Sequence, residues 1–317
     1  MSDTTRDLSH QNGYAFWRRL LIYQAERFPV LAHGVMIAAF TFSAVSYSRI
    51  CRGAEGFIEW VDFAIGVFIT VSLFFLVRIF DEFKDQEDDR RYRSYLPVPR
   101  GLVTLRELRW LGIATVAAQV MVLLLLQPRM LYLYMLVLVY LSLMGVEFFV
   151  PTWLKARQIL YITSHMFIIP LIDLYASGLD WLLADAEPHL GLLWFFAVSY
   201  ANGLVLEFGR KIRTSDQEEP NVVSYTGLYG TKGGVRIWLG LLAATFLLAI
   251  GASAYAGYGA VAYVVLAVFF AMGALPGFLW LQRPTVQRSK YIEYASAGWT
   301  VLMYLSLGAV PMLERLV

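Results

Sequence analysis

The sequence predicts an all-α integral membrane protein of about nine transmembrane helices. Three observations carry this. Apolar residues make up 58% of the 317-residue chain and charged residues only 16%, a balance that water-soluble domains do not keep. The apolar residues fall into stretches close to the roughly 20 residues that a helix needs to cross a bilayer. The basic residues gather at one set of alternate ends of those stretches.

Taken in chain order, residues 1–29 are polar and aromatic with no short apolar core, so they read as a cytoplasmic N-terminal segment and not as a cleavable leader. Residues 30–317 read as one transmembrane domain. The expected spans are Val30–Tyr47, Trp60–Phe80, Leu108–Leu126, Leu131–Val150, Ile159–Ala176, Leu190–Leu206, Ile237–Tyr255, Ala260–Leu281 and Tyr291–Val310. Two connections are long and polar. One runs from Asp81 towards Arg106 and the other from Glu207 towards Arg236. Each follows an even-numbered span, four spans apart, which is the layout of a duplicated half. All Lys and Arg residues except Arg49, Arg52, Arg129 and Arg315 lie on the side of the N-terminus. The positive-inside rule therefore puts that side in the cytoplasm, and the expected location is a bacterial inner membrane. Cys51 is the single cysteine, which excludes an internal disulfide or a thiolate metal cluster. The net charge of +2 is spread over membrane ends, with no basic, aromatic-studded soluble domain, so no nucleic-acid partner is expected.

The candidate chemistry starts at the acidic run Asp81-Glu82-Phe83-Lys84-Asp85-Gln86-Glu87-Asp88-Asp89, at the end of the second span. Asp81, Asp85 and Asp89 recur every four residues. On a helix each advances only about 40° past the last, so the three carboxylates share one stripe. Stacked like charges destabilise a bare helix. A divalent cation removes that repulsion, and Mg²⁺ favours a few carboxylates plus substrate phosphate oxygens. The residues thus point to a magnesium–diphosphate site at a membrane surface; the alternative is a solvated acidic face. Arg90, Arg91 and Arg93 follow, then Pro97-Val98-Pro99-Arg100-Gly101-Leu102-Val103-Thr104. The prolines end the helix and favour an extended segment. Thr104 with Glu107 reads as a capping box that starts the third span.

These residues resemble the UbiA superfamily of membrane prenyltransferases. The family's first motif is Asn-x-x-x-Asp-x-x-x-Asp, often with a second acid after the Asn. Here Asp81 stands at the Asn position, Glu82 is the second acid, and Asp85 and Asp89 match the aspartates. A segment like Arg-Pro-Ile-Pro-Ser-Gly follows in the family, and Pro97, Pro99 and Gly101 match it at the family's distance. Leu96 replaces the usual Arg and Arg100 the Ser, so Arg100 or Arg93 would have to supply the lost phosphate contact. Glu26-Arg27-Phe28-Pro29 resembles the family's Arg…Pro approach to span 1. Pro151-Thr152-Trp153-Leu154-Lys155-Ala156-Arg157 resembles its basic turn between spans 4 and 5.

The second polar loop departs from the pattern. Ser224-Tyr225-Thr226-Gly227-Leu228-Tyr229-Gly230 resembles the family's Leu-Gly ending, but Arg213 and Gln217 occupy its two aspartate positions. Either Glu207 and Asp216 bind metal after a small shift, or Arg210, Lys211 and Arg213 bind phosphate instead. A Glu207 that merely pairs with Arg210 and Lys211, three and four residues on, is the rival to a metal role.

The resemblance implies a helical bundle with a central cavity capped by cytoplasmic loops. It also implies a Mg²⁺-dependent reaction on a prenyl diphosphate, with Mn²⁺ as a substitute. Asp81, Glu82, Asp85 and Asp89 would hold metal, with Asp81, Asp85 and Asp89 central to turnover. Arg27, Lys84, Arg93, Arg100, Lys155, Arg157, Arg210, Lys211 and Arg213 would hold substrate. Three ionisable residues inside spans lie outside the motif: Glu147, His165 and Asp173. Intramembrane charges mark function by default, and His165 is the candidate to bind an acceptor; helix–helix hydrogen bonding is the alternative. Three classes follow: prenyl transfer to a lipophilic acceptor, a membrane terpene cyclase using the same ionisation, and a transporter that merely carries acidic loops. The joint match of the carboxylate register and the Pro-x-Pro-x-Gly segment argues against the last.

Overall fold

The computed structural model describes residues 13–218 and 223–316. Among them the protein is helical, and nine helices are long and apolar enough to cross a membrane. An amphipathic helix, α1 (Phe16–Arg27), comes first. Then follow α2 (Val30–Arg52), α3 (Trp60–Lys84), α4 (Gln86–Tyr92), α5 (Leu105–Leu126) and α6 (Leu131–Gly145). The fifth span is broken into α8 (Gln158–Met166) and α9 (Ile168–Trp181), preceded by a single-turn α7 (Pro151–Lys155). The second half comprises α10 (Leu192–Gly209), a short α11 (Tyr225–Tyr229), α12 (Thr231–Tyr255), α13 (Ala260–Gln282) and α14 (Val286–Tyr304). A π-helical turn, Leu305–Ala309, leads into α15 (Val310–Leu316).

The expected spans are recovered, with three informative shifts at their ends. The second span runs on to Lys84, so the first acid of the run sits inside it. The fourth stops at Gly145 and not at Val150, because Glu147, Phe148 and Phe149 all adopt left-handed backbone, with φ of 53°, 52° and 61°. The ninth continues through the π turn to Leu316.

Successive spans pack side by side, α2 on α3, α3 on α5, α10 on α12, α12 on α13 and α13 on α14, and α2 also lies on α9, which closes the first half. The halves join where α2 meets the π turn. Gly308 makes that contact possible, since a Cβ there would stand 2.3 Å from the backbone oxygen of Ser43. At the end of the bundle opposite the acidic run, α2 is fastened to α9 through Asp180. This fully buried carboxylate accepts from Ser48, Arg49 and Arg52.

The N-terminal segment is not independent of the bundle. Tyr23 is buried in the common core. Arg19 binds Glu107 at 2.6 Å and the backbone oxygen of Leu102 at 2.8 Å. The expected capping box is present: Thr104 accepts from the Glu107 backbone N–H, and Glu107 accepts from that of Thr104. Helix α1 therefore clamps the Pro97–Thr104 segment, whose tight turn relies on Gly101 at φ 80°.

Candidate active site at the polar helix ends

The acidic run is not one straight helix. Asp85 (φ −93°, ψ 7°) separates α3 from α4. Helical hydrogen bonding nevertheless passes through the break, from Asp85 N to Asp81 O (2.9 Å) and from Asp89 N to Asp85 O (2.8 Å). The four-residue register of the three aspartates survives.

Their surroundings differ. Asp81 Oδ1 lies 3.3 Å from Lys84 Nζ, and its Oδ2 lies 3.7 Å from Arg78. Asp89 is buried and accepts from Arg93 at 3.0 Å. Asp85, half-buried between them, has no ion pair among the described residues. Burial pushes both Asp85 and Asp89 above the usual aspartate range, with Lys84 opposing the shift at Asp85 and Arg93 opposing it at Asp89. A desolvated carboxylate without a partner is costly and suits a cation.

Glu82 and Glu207, expected as metal ligands, each sit in ion pairs. Glu82 is almost fully buried, and its Oε1 accepts from Arg27 Nε at 2.6 Å and from Arg78 at 3.1 Å. Arg78 carries no signal in the motif. It was detectable as an arginine inside an apolar span, four residues before Glu82. Glu207 is likewise buried and binds Arg210 and Lys211, each at 2.5 Å. Its Oε1 also accepts from the Tyr225 hydroxyl, whose ring stacks on Phe208 with centroids 3.8 Å apart. These are the pairs that the rival reading of Glu207, a paired acid at a helix end, expects.

Arg100 is also engaged elsewhere. Its guanidinium is bidentate to Glu26, at 2.7 and 2.8 Å, and donates to the Tyr95 carbonyl, tying the loop to α1. Arg157 is exposed and folds over the Trp153 ring, its guanidinium carbon 4.4 Å from the centroid. Lys155 is exposed on the same turn. Arg213 donates to the Gln217 carbonyl, and its backbone N–H binds Thr226. Asp216 is exposed in the 3₁₀ turn Ser215–Gln217. Glu219 lies outside the described residues.

Among the described residues no three His, Cys, Asp or Glu side chains form a group that could hold a metal ion alone. The donor set nevertheless fits Mg²⁺, which is usually bound by one or two carboxylates together with waters and phosphate oxygens. Asp85 is the open carboxylate, with Asp81 and Asp89 one helical turn to either side.

Nine apolar helices with acidic and basic side chains gathered at their ends define a polytopic membrane protein. The family model for UbiA prenyltransferases matches residues 38–307. A structure from work on digeranylgeranylglyceryl phosphate synthase in membranes is 14% identical, with a TM-score of 0.62, covering 92% of this chain and 99% of its own. The apo structure of a UbiA homologue from Aeropyrum pernix K1 is 20% identical, with a TM-score of 0.64, covering 87% and 98%. At these identities the likeness is one of fold. No curated protein matches the sequence. With the family model spanning most of its length, the chain belongs to the UbiA prenyltransferase family.

Proposed function

We propose that this protein transfers a prenyl group from a prenyl diphosphate to a lipophilic acceptor within the membrane, in a reaction that requires Mg²⁺ and tolerates Mn²⁺. The observation that carries this is Asp85, half-buried between Asp81 and Asp89 and without an ion pair among the described residues. When bound, the metal would neutralise charge on the departing diphosphate. Asp81, Asp85 and Asp89 would hold it. Glu82 keeps Arg27 and Arg78 at the same helix end, where their remaining N–H groups can bind phosphate bidentately. Glu207 does the same for Arg210 and Lys211 from the second half. In this reading the second half is a basic clamp, with Asp216 and Arg213 at its margin. Lys84 and Arg93 hold the aspartates in register. The N-terminus lies in the cytoplasm of a bacterium and the bundle in its inner membrane.

A second reading is favoured by one observation: Asp81 replaces the family's Asn, leaving three acids in the first motif. In it the protein is a terpene cyclase that ionises the same diphosphate and quenches the cation internally. Purified protein with Mg²⁺ and prenyl diphosphates of several lengths, without acceptor, separates the two. Turnover that awaits an added acceptor supports transfer. Diphosphate release with a cyclic hydrocarbon supports cyclisation. Absence of prenyl diphosphate binding, with or without Mg²⁺, would sink both.

A further inference from the structure

Next to the acidic run, a second cluster of polar side chains belongs to no family motif. It is built from the left-handed turn after α6 and one side of α8, with Tyr161 near the start of that helix and His165 in its last turn. Glu147 and His165 are each about nineteen-twentieths buried, at 5% and 6% exposure, and each keeps one bare polar atom: Glu147 Oε2 and His165 Nε2. Tyr161 joins them. Its ring stacks on the His165 imidazole, with centroids 4.1 Å apart and planes 20° from parallel. Its hydroxyl donates to Glu147 Oε1 at 3.4 Å. Phe148 closes the imidazole edge at 6.2 Å between centroids.

The tautomer of His165 follows from its neighbours. Nδ1 lies 2.8 Å from the Tyr161 carbonyl oxygen. A carbonyl cannot donate, so Nδ1 carries the hydrogen and Nε2 holds a free lone pair. The cluster adjoins the acidic run: Lys84, the partner of Asp81, has its Nζ 5.6 Å from the Tyr161 ring centroid. The backbone is held at a cost to present Glu147. Three consecutive non-glycine residues in left-handed conformation are disfavoured by roughly 1–2 kcal/mol each, and such outliers cluster at functional sites. On the same elements an apolar groove of about 390 Å³ runs between Phe148, Trp153, Leu160 and Phe167. Trp153, Leu160 and Phe167 are exposed on the bundle surface.

We propose that Glu147, Tyr161 and His165 form the acceptor subsite, that the acceptor is a neutral, lipophilic molecule bearing a hydroxyl group, and that His165 Nε2 is its general base. This rests on the prenyl-transfer reading above. The free atoms are a lone pair and a carboxylate oxygen, so the subsite recognises hydrogen-bond donors. An acceptor whose reacting group is a carboxylate would meet the charge of Glu147 in a desolvated position. In the reaction the C1–O bond of the prenyl diphosphate breaks and its electron pair leaves with diphosphate. A lone pair on the acceptor oxygen forms the new C–O bond, and the hydroxyl proton passes to Nε2. The product is a prenyl ether, and the proton leaves to water as the site opens.

The test uses the purified full chain with Mg²⁺, geranylgeranyl diphosphate, and either 1-octanol or octanoate as the probe acceptor. Wild type is expected to form the octyl ether in preference to the octanoate ester. His165→Gln can still accept a hydrogen bond but cannot take the proton. It should lower kcat for O-prenylation by about 100-fold or more while leaving the affinity for geranylgeranyl diphosphate within about twofold. Glu147→Gln should raise the KM for octanol with less effect on kcat, a split that loss of fold would not give. Unchanged ether formation in His165→Gln, a preference of wild type for octanoate, or a cyclic hydrocarbon as the wild-type product overturns the inference. A wild type that releases no more diphosphate than Asp85→Ala overturns the prenyl-transfer reading itself, and the two failures are thereby told apart.

Discussion

Replacing Glu82 by Gln separates its two possible roles. As an anchor, Glu82 holds Arg27 and Arg78 through one oxygen, at 2.6 and 3.1 Å, with its own side chain 1% exposed. The substitution keeps the shape and removes the charge, leaving two guanidinium groups facing a neutral amide. Breaking a buried pair by removing one partner costs about 3–5 kcal/mol. The arginine side chains are 15% and 23% exposed, so water offsets part of that loss, and about 2–3 kcal/mol remains. For a chain of 317 residues that corresponds to a fall in Tm of about 3–5 °C. As a metal ligand, Glu82 would behave in the opposite way. Its neutralisation would relieve like-charge repulsion in the metal-free protein and raise the Mg²⁺ needed for half activity. The assay is thermal unfolding in detergent without metal, paired with a Mg²⁺ titration of turnover. We expect a lower Tm, a weaker affinity for prenyl diphosphate and an unchanged Mg²⁺ requirement. An unchanged or raised Tm together with a higher Mg²⁺ requirement would refute the anchoring role and return Glu82 to the metal.

Asp85→Ala and Asp89→Ala should each abolish turnover while the protein remains folded by size-exclusion profile and thermal melt; full activity in both would remove the metal site. Burial holds the Asp85 carboxyl above the ordinary aspartate range, so its proton competes with Mg²⁺ at a higher pH than a free aspartate would allow. The half-activating Mg²⁺ concentration should therefore rise as pH falls towards that raised value. A folded-state value above the unfolded one also means that metal-free stability is greatest below the unfolded value and is lost as pH rises through the folded one. Asp85→Asn should accordingly make the metal-free protein more heat-stable at neutral pH and flatten this dependence, as pH-resolved melting curves would record. Glu207→Ala should weaken prenyl diphosphate binding by freeing Arg210 and Lys211 while leaving the Mg²⁺ requirement at the wild-type value; a raised requirement in the titration would make Glu207 a ligand after all.

Short-range physics is what the sequence by itself determined. Span number follows from local hydropathy, because a stretch of this length and composition cannot leave its backbone unsatisfied in lipid except as a helix. The register of Asp81, Asp85 and Asp89 follows from helical spacing, and it persists through the break at Asp85 because the hydrogen bonds on either side persist. The Thr104–Glu107 capping box was legible for the same reason. Partnerships across the chain were decided only by the tertiary structure. Glu82 meets Arg27 over 55 residues of sequence, and Arg100 meets Glu26 over 74. In the sequence each reads as a free ligand or phosphate contact, because a charge shows its own sign but not the charge that folding brings beside it. Glu147 is the sharpest case. Hydropathy places it within the fourth span, yet the chain leaves the helix at Gly145 and turns left-handed. That turn sets Glu147 against Tyr161 on the next helix, and only packing against that neighbour holds an acid and a backbone that local preference alone would reject.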